Sequence, residues 1–373
     1  MEQLTLGDLA VYRARLRGCL LGGALGDALG FPVEGLSLPA VRARYGERGI
    51  TGPVPDLDGV TGRISEETQL TLFTAEGRLA GYARATAKGI SGAETAMVHD
   101  AYQCWQETQD HPGPPPRDGL RHRTGRLREE RWLYARRGAG AATVAGLREQ
   151  HVPVPWLPVD GTPGPVNPGS KGCGAVVRSA PIGFTGSDPK GSFELAARCA
   201  RITHGHPTGY YAAGAFAAMI SHLLDGESVA AAVLLSMELL AGYPGHEETT
   251  AALRKAVDLA RTGPATASKV ESLGAGWTGE EALSIGVYAA LAPTEYREEH
   301  TPVAAALLVA VNHSGGSDST GSICGNLLGA RHGDVLLPAH WLRQVEGRAV
   351  IAALADDFAA EVHPGERRPW IHH

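Results

Sequence analysis

From Tyr12 onward the apolar positions Leu16, Cys19, Leu20, Ala24, Ala28 and Leu29 recur at steps of three and four residues, which places them on one face of a helix. Gly18, Gly22, Gly23 and Gly26 fall in the same run. A glycine weakens a helix interior by about 1 kcal/mol relative to alanine. Several in one helix therefore point to close backbone approach, to neighbouring helices or to a ligand. The same rhythm predicts helices over 66–83, 92–108, 192–203, 208–224, 228–241, 247–261, 280–291, 302–311, 320–328 and 348–361. Ser192 is the expected N-cap of the third of these, with Ala196 and Ala197 opening its apolar face. No alternating β-branched run of useful length occurs, so the expected fold class is all-α, a single compact multi-helix domain over residues 1–373.

Two stretches break the rhythm. Residues 111–130 are rich in Pro and Arg, and residues 150–170 hold six prolines. Both read as surface loops, the second partly polyproline-like. Loops of this length are usually binding elements or disordered. Helical character resumes unchanged after each, and no internal repeat with a period of 20–50 residues is evident.

Composition narrows the function classes. Hydrophobic residues make up 43% and charged residues 20% of the 373, enough to bury a large core, which excludes global disorder. The net charge of −6 leaves no overall basic footprint for nucleic acid. No run of about 18 uncharged apolar residues exists to cross a membrane, and the first residues lack the basic and apolar regions of a signal peptide. The five cysteines are scattered, with no CxxC or Cys/His zinc spacing. That pattern is expected of reduced thiols in a cytoplasmic protein.

Five short segments carry candidate chemistry, and each also has a plain structural reading. Gly22–Gly35 places Asp27 inside a small-residue helix and Glu34 just past its end. A buried carboxylate is costly unless paired or metal-bound, and the plain reading makes Asp27 a cap and Glu34 solvated. Ser65, Glu66 and Glu67 read either as an N-cap with two acids in a first helical turn or as oxygen ligands for Mg²⁺ or Mn²⁺. Ser170, Lys171, Gly172, Cys173 and Gly174 read as a glycine turn or as a phosphate cradle ahead of a helix. Asp318, Ser319 and Thr320 follow a glycine-rich loop and supply either an N-cap or three oxygen side chains. His204 and His206 sit in a turn between two helices, as structure or as a polar contact to a ligand.

Together, RLRGCLLGGALGDALGFPVEG, SEETQLTLFTAE, SKGCGAVVRSAPIG, THGHPTGYYAAGAFAAMI and NHSGGSDSTGSICGNLLGA resemble the ADP-ribosylglycohydrolase family, which includes the dinitrogenase reductase-activating glycohydrolase. The resemblance runs from Arg15 to about Gly333. It implies an all-α fold that removes ADP-ribose from a side chain or a free molecule with two Mg²⁺ or Mn²⁺ ions. The family's Thr-Asp-Asp triplet falls on Ser65, Glu66 and Glu67. Its Asp-x-Asp-Ser/Thr loop falls on Gly316, Asp318 and Ser319. Two Asp have become Glu, and one has become Gly316, which removes a ligand. The expectation is therefore one ion or none, held by Ser65, Glu66, Glu67, Asp318 and Ser319, with a longer Glu reaching into the volume that Gly316 frees.

The resemblance further implies that Glu34 faces the scissile ribose bond and that Asp27 lies at the substrate. Ser170, Lys171, Gly172, Cys173 and Gly174 match the segment that holds the diphosphate, and His204 lines the ribose side. Glu34, Glu66, Glu67 and Asp318 are the candidate catalytic acids. Four converging carboxylates with little metal repel one another, so one of them should hold its proton unusually tightly. The expected substrate is an ADP-ribosylated protein or a small nucleotide built on NAD or ADP-ribose. The alternative is a pseudoenzyme that binds such a group and cleaves nothing.

Overall fold

The glycines of the first helix meet the glycines of a late one. In the computed structural model, which describes residues 6–89, 91–116, 125–186, 188–294 and 300–363, α1 (Leu6–Gly30) begins a chain of sixteen α-helices. They continue as α2 (Leu38–Tyr45), α3 (Glu66–Lys88), α4 (Glu94–Asp110), α5 (Ala141–Arg148), α6 (Gly174–Val177), α7 (Pro189–Ala200) and α8 (Pro207–Leu224). The second half holds α9 (Val229–Leu240), α10 (Glu247–Arg261), α11 (Ala267–Leu273), α12 (Gly279–Leu291) and α13 (Pro302–Val311). It ends with α14 (Ser317–His332), α15 (Ala339–Leu342) and α16 (Arg348–Val362). No strand occurs among the described residues, only isolated bridges such as that between Gly172 and Thr278.

α1 and α14 run antiparallel with their backbones in contact. A Cβ on Gly18 would overlap the carbonyl oxygen of Gly329, one on Gly22 that of Gly325, one on Gly26 that of Gly321, and one on Gly30 that of Ser317. The clashes at Gly321, Gly325 and Gly329 are reciprocal. Gly23 gives way to Asn326, whose amide donates to the Cys19 carbonyl at 2.8 Å. The sequence pattern thus marks a helix–helix seam. α8 is buried nearly all round, as an all-apolar helix must be, and α13 and α14 are similarly enclosed. The buried apolar side chains form one contiguous core.

Most expected helices are present with ends shifted by a few residues. Ser192 is not a cap. α7 starts earlier, with Pro189 at its first position and Asp188 accepting the Gly191 amide, because Pro is pre-set for a first turn and Asp is a strong cap. The short helices α2, α5 and α11 were not expected, being too brief for a periodic signal. In 111–130, residues 117–124 lie outside the described residues. The rest is not merely surface, since Leu127 and Arg128 are buried and Arg128 pairs with Glu107 at 2.8 Å. Residues 150–170 are irregular, anchored by buried Val159 and Val166. No described helix is long and apolar enough to cross a membrane.

A methyl group in the seam has nowhere to go. Gly325→Ala is expected to lower the unfolding free energy by about 1–3 kcal/mol or more, read as a drop in the denaturant midpoint. An unchanged midpoint would mean that α1 and α14 can part freely.

Candidate functional site

The first turn of α3 is closed from three sides. Ser65 caps it, its hydroxyl accepting the Glu67 amide at 3.1 Å. Asp27, wholly buried on α1, accepts the amides of Ser65 at 2.9 Å and Thr68 at 3.1 Å, and the Thr68 hydroxyl. The Glu66 amide donates to the Arg137 carbonyl at 2.9 Å. The donors that a helix start leaves open are thus satisfied within the protein. Asp27 is engaged with these amides, in keeping with the capping reading. Burial and the nearby Asp318 charge push its carboxyl up to about 7 against these hydrogen bonds.

Beside this start, α1 and α14 bring further acids together. Glu66 accepts the Gly140 amide at 2.6 Å through Oε1, while its buried Oε2 has no partner. Glu67 accepts the Ser319 hydroxyl at 2.5 Å through Oε1, with the Cys173 sulfur 3.9 Å away, and its Oε2 is likewise unpartnered. Asp318 accepts the Ser319 amide at 2.8 Å. Glu34, just after the turn that ends α1, is half-buried, whereas the other four are buried. Among the described residues no ion pair joins any of the five to a Lys, Arg or His.

The electrostatics follow from that isolation. Burial first, and then the charges of Asp318, Asp27 and Glu66, push Glu34 up to about 8. Burial also drives Glu66 up to about 8, with Gly140 and the distant Arg178 guanidinium opposing. Glu67 is raised well above the usual carboxylate range by burial, Asp318 and Glu66. Burial raises Asp318 as well. Cys173 is pushed up by burial and by Glu67.

The Ser170–Gly174 segment lies across from this cluster, clamped to the start of α12. The Cys173 amide donates to the Trp277 carbonyl at 3.1 Å and the Gly279 amide to that of Lys171 at 2.7 Å. Lys171 turns to Glu248 at 2.5 Å and Glu280 at 2.6 Å, so its charge is engaged with protein carboxylates. His204 is buried, and its ring borders Gly172. Sequence reasoning assigned no role to Arg178 or the Arg137–Gly140 segment, and took Thr203 only as the start of the turn that holds His204. The available signal for Arg178 was its being the one charge between Gly172 and Ser187; the others are ordinary loop residues whose place only the fold reveals.

The two cations that the resemblance implies can be tested against these donors. Gly316 offers no side chain, and a Cβ there would stand 3.0 Å from the Gly276 carbonyl oxygen and 3.5 Å from the Trp277 ring. The glutamates do not fill that space, since they reach Gly140 and Ser319 instead. Asp27 is taken up by α3 amides, the Ser65 hydroxyl caps α3 and that of Ser319 bonds Glu67. Among the described residues no three His, Cys, Asp or Glu side chains converge as a ligand set. Gly316 thus leaves one side-chain ligand fewer than the resemblance implies, while Glu66 Oε2 and Glu67 Oε2 are buried without a partner.

The sequence model of the ADP-ribosylglycohydrolase family matches residues 8–368, so the chain belongs to that family. An uncharacterized protein of Archaeoglobus fulgidus is 26% identical over 347 residues, covering 91% of this chain and 94% of its own length. A solved structure titled an ADP-ribosylglycohydrolase-related protein complex superposes with a TM-score of 0.63 at 23% identity, covering 95% of this chain and 99% of its own. That likeness shows a shared all-α fold.

Because the folded pKa values of Asp27, Glu34 and Glu66 exceed those of an unfolded chain, the native state keeps protons that the unfolded state has lost. These acids therefore cost nothing below about pH 4 and increasingly destabilise as pH rises towards about 8. Glu67→Gln should remove part of that cost. Its Tm advantage over the parent should grow from pH 5 to pH 8, reaching roughly 2–4 °C. A constant difference across that range would refute the buried, unpaired state of Glu67.

Proposed function

We propose that this member of the ADP-ribosylglycohydrolase family hydrolyses the ribosyl bond of an ADP-ribosylated side chain or of a small nucleotide built on NAD or ADP-ribose. The reaction would take place in the cytoplasm, at a centre with one Mg²⁺ or Mn²⁺ ion or none. The observation that carries the reading is the half-buried Glu34 set against four buried carboxylates with which no Lys, Arg or His pairs among the described residues. Such perturbed acids gather where chemistry requires them.

The chemistry can be written with these residues alone. The bond from the ribose anomeric carbon to the leaving nitrogen or oxygen breaks, and its electron pair leaves with that atom. Glu34, protonated at neutral pH, donates the proton that the leaving group takes up. Positive charge develops on the ribose, and the anionic members of the cluster stabilise it in a site of low dielectric. Water adds to the anomeric carbon and returns a proton to the carboxylate. Longer glutamates in place of aspartates leave the field in place while anchoring it to Gly140 and Ser319. A second reading, a pseudoenzyme that binds ADP-ribosyl groups, is favoured by one observation, the missing side chain at Gly316.

Purified protein mixed with NAD or ADP-ribosyl-arginine, with and without Mg²⁺ or Mn²⁺, should release ADP-ribose detectable by mass spectrometry. Glu34→Gln should cut turnover by about 10²–10⁴-fold while ADP-ribose still binds. Undiminished turnover in that variant would remove Glu34 from the mechanism. Binding without product in every condition would favour the pseudoenzyme.

A further inference from the structure

A line of contacts runs from the interior to the Ser170–Gly174 segment. Arg178, just after α6, is wholly buried with its guanidinium 4.5 Å from the Tyr102 ring centre. No carboxylate pairs with it among the described residues, and its Nε and Nη1 lack hydrogen-bond partners. Its Nη2 donates to Thr203 Oγ1 at 2.5 Å, and that oxygen lies 2.7 Å from His204 Nδ1. Thr203 has a single hydroxyl hydrogen. Arg178 fills one of the two acceptor positions on that oxygen, and among the described residues the hydroxyl hydrogen has no other acceptor, so the arrangement that satisfies it sends the hydrogen to Nδ1, which then accepts. The proton of the neutral ring is left on Nε2. Among the described residues nothing pairs with Nε2, and a Cβ on Gly172 would stand 3.1 Å from it. Only a glycine leaves that edge uncovered.

We propose that Arg178, acting through Thr203, is a positioning residue that holds His204 in the tautomer with its proton on Nε2, presenting a neutral N–H donor beside Gly172 to a diphosphate oxygen of the substrate. The identity of the ligand rests on the preceding reading; the tautomer does not. Burial, and then the Arg178 charge, push the His204 ring down to about 3, which keeps it neutral. With Lys171 engaged by Glu248 and Glu280, His204 and the backbone are left to receive the anion.

The test is nitrogen NMR of the imidazole in the full chain at pH 7. His204 should carry its proton on Nε2. Thr203→Val should shift the tautomer towards Nδ1 and weaken ADP-ribose binding about tenfold, and Thr203→Ser should restore both. Arg178→Met should act in the same direction as Thr203→Val, with partial rescue by Arg178→Lys. Gly172→Ala should weaken binding with the tautomer unchanged, because its methyl covers Nε2. A parent protein with the proton on Nδ1, or a Thr203→Val protein with an unaltered tautomer, would overturn the proposal even if Arg178→Met fails to fold. Failure of the parent to bind ADP-ribose would sink the preceding reading and the ligand named here, while the spectra would still decide the tautomer.

Discussion

α1 and α14 touch backbone to backbone, and the position of the site depends on that contact. With Gly18, Gly22, Gly26 and Gly30 facing Gly329, Gly325, Gly321 and Ser317, no side chain separates the axes. Dispersion and weak Cα–H···O contacts hold the seam. Its register has a chemical consequence. Asp27 follows one seam glycine, and Asp318 follows Ser317, the seam residue opposite Gly30. Glu34 comes just after Gly30, where α1 ends. One antiparallel register thus sets three carboxylates at the same end of two helices, and α3 adds Glu66 and Glu67 through the amides that Asp27 accepts. A side chain in the seam would move the acids apart before it exposed any core.

The second constraint is charge. Five carboxylates share a region where the structure supplies no paired cation, and burying them is costly. The response is visible in the hydrogen bonds. Glu66 finds an amide at Gly140, Glu67 finds a hydroxyl at Ser319, and each leaves one oxygen uncommitted. An Asp at either position, shorter by one methylene, would not span the same gap without movement. The glycine at 316 answers to a separate contact, because a Cβ there would press on the Gly276 carbonyl oxygen at 3.0 Å.

Much of this was legible in the sequence, for physical reasons that differ between residues. Helix periodicity located the long elements because their buried faces repeat. Clustered glycines announced the α1 seam because they are costly without a close neighbour. Ser65 read as an N-cap because a hydroxyl followed by two acids is a local signature. The partner of α1 was not legible, since nothing local ties Gly22 to Gly325. Nor was the direction of Asp27 into the α3 amides, which depends on a contact 38 residues away in sequence. Lys171 looked like an anion ligand because it lies in a glycine-rich turn, yet its charge is drawn off by Glu248 and Glu280 from the starts of α10 and α12, which only the fold brings near.

That last displacement bears on how the cluster works. A lysine reaching the carboxylates would lower their pKa values by direct attraction, and Glu34 and Glu66 would then surrender the protons that burial lets them keep. Tethering Lys171 to two other acids holds a mobile cation away from the cluster. Arg178, a buried guanidinium, stays behind Thr203 and Tyr102 and opposes Glu66 only at a distance. The positive charges are so placed that they leave the acids without ion pairs, and Glu34 and Glu66 keep their protons. The arrangement is adverse for stability and suited to meeting a positive charge that arrives with the ligand or forms on it.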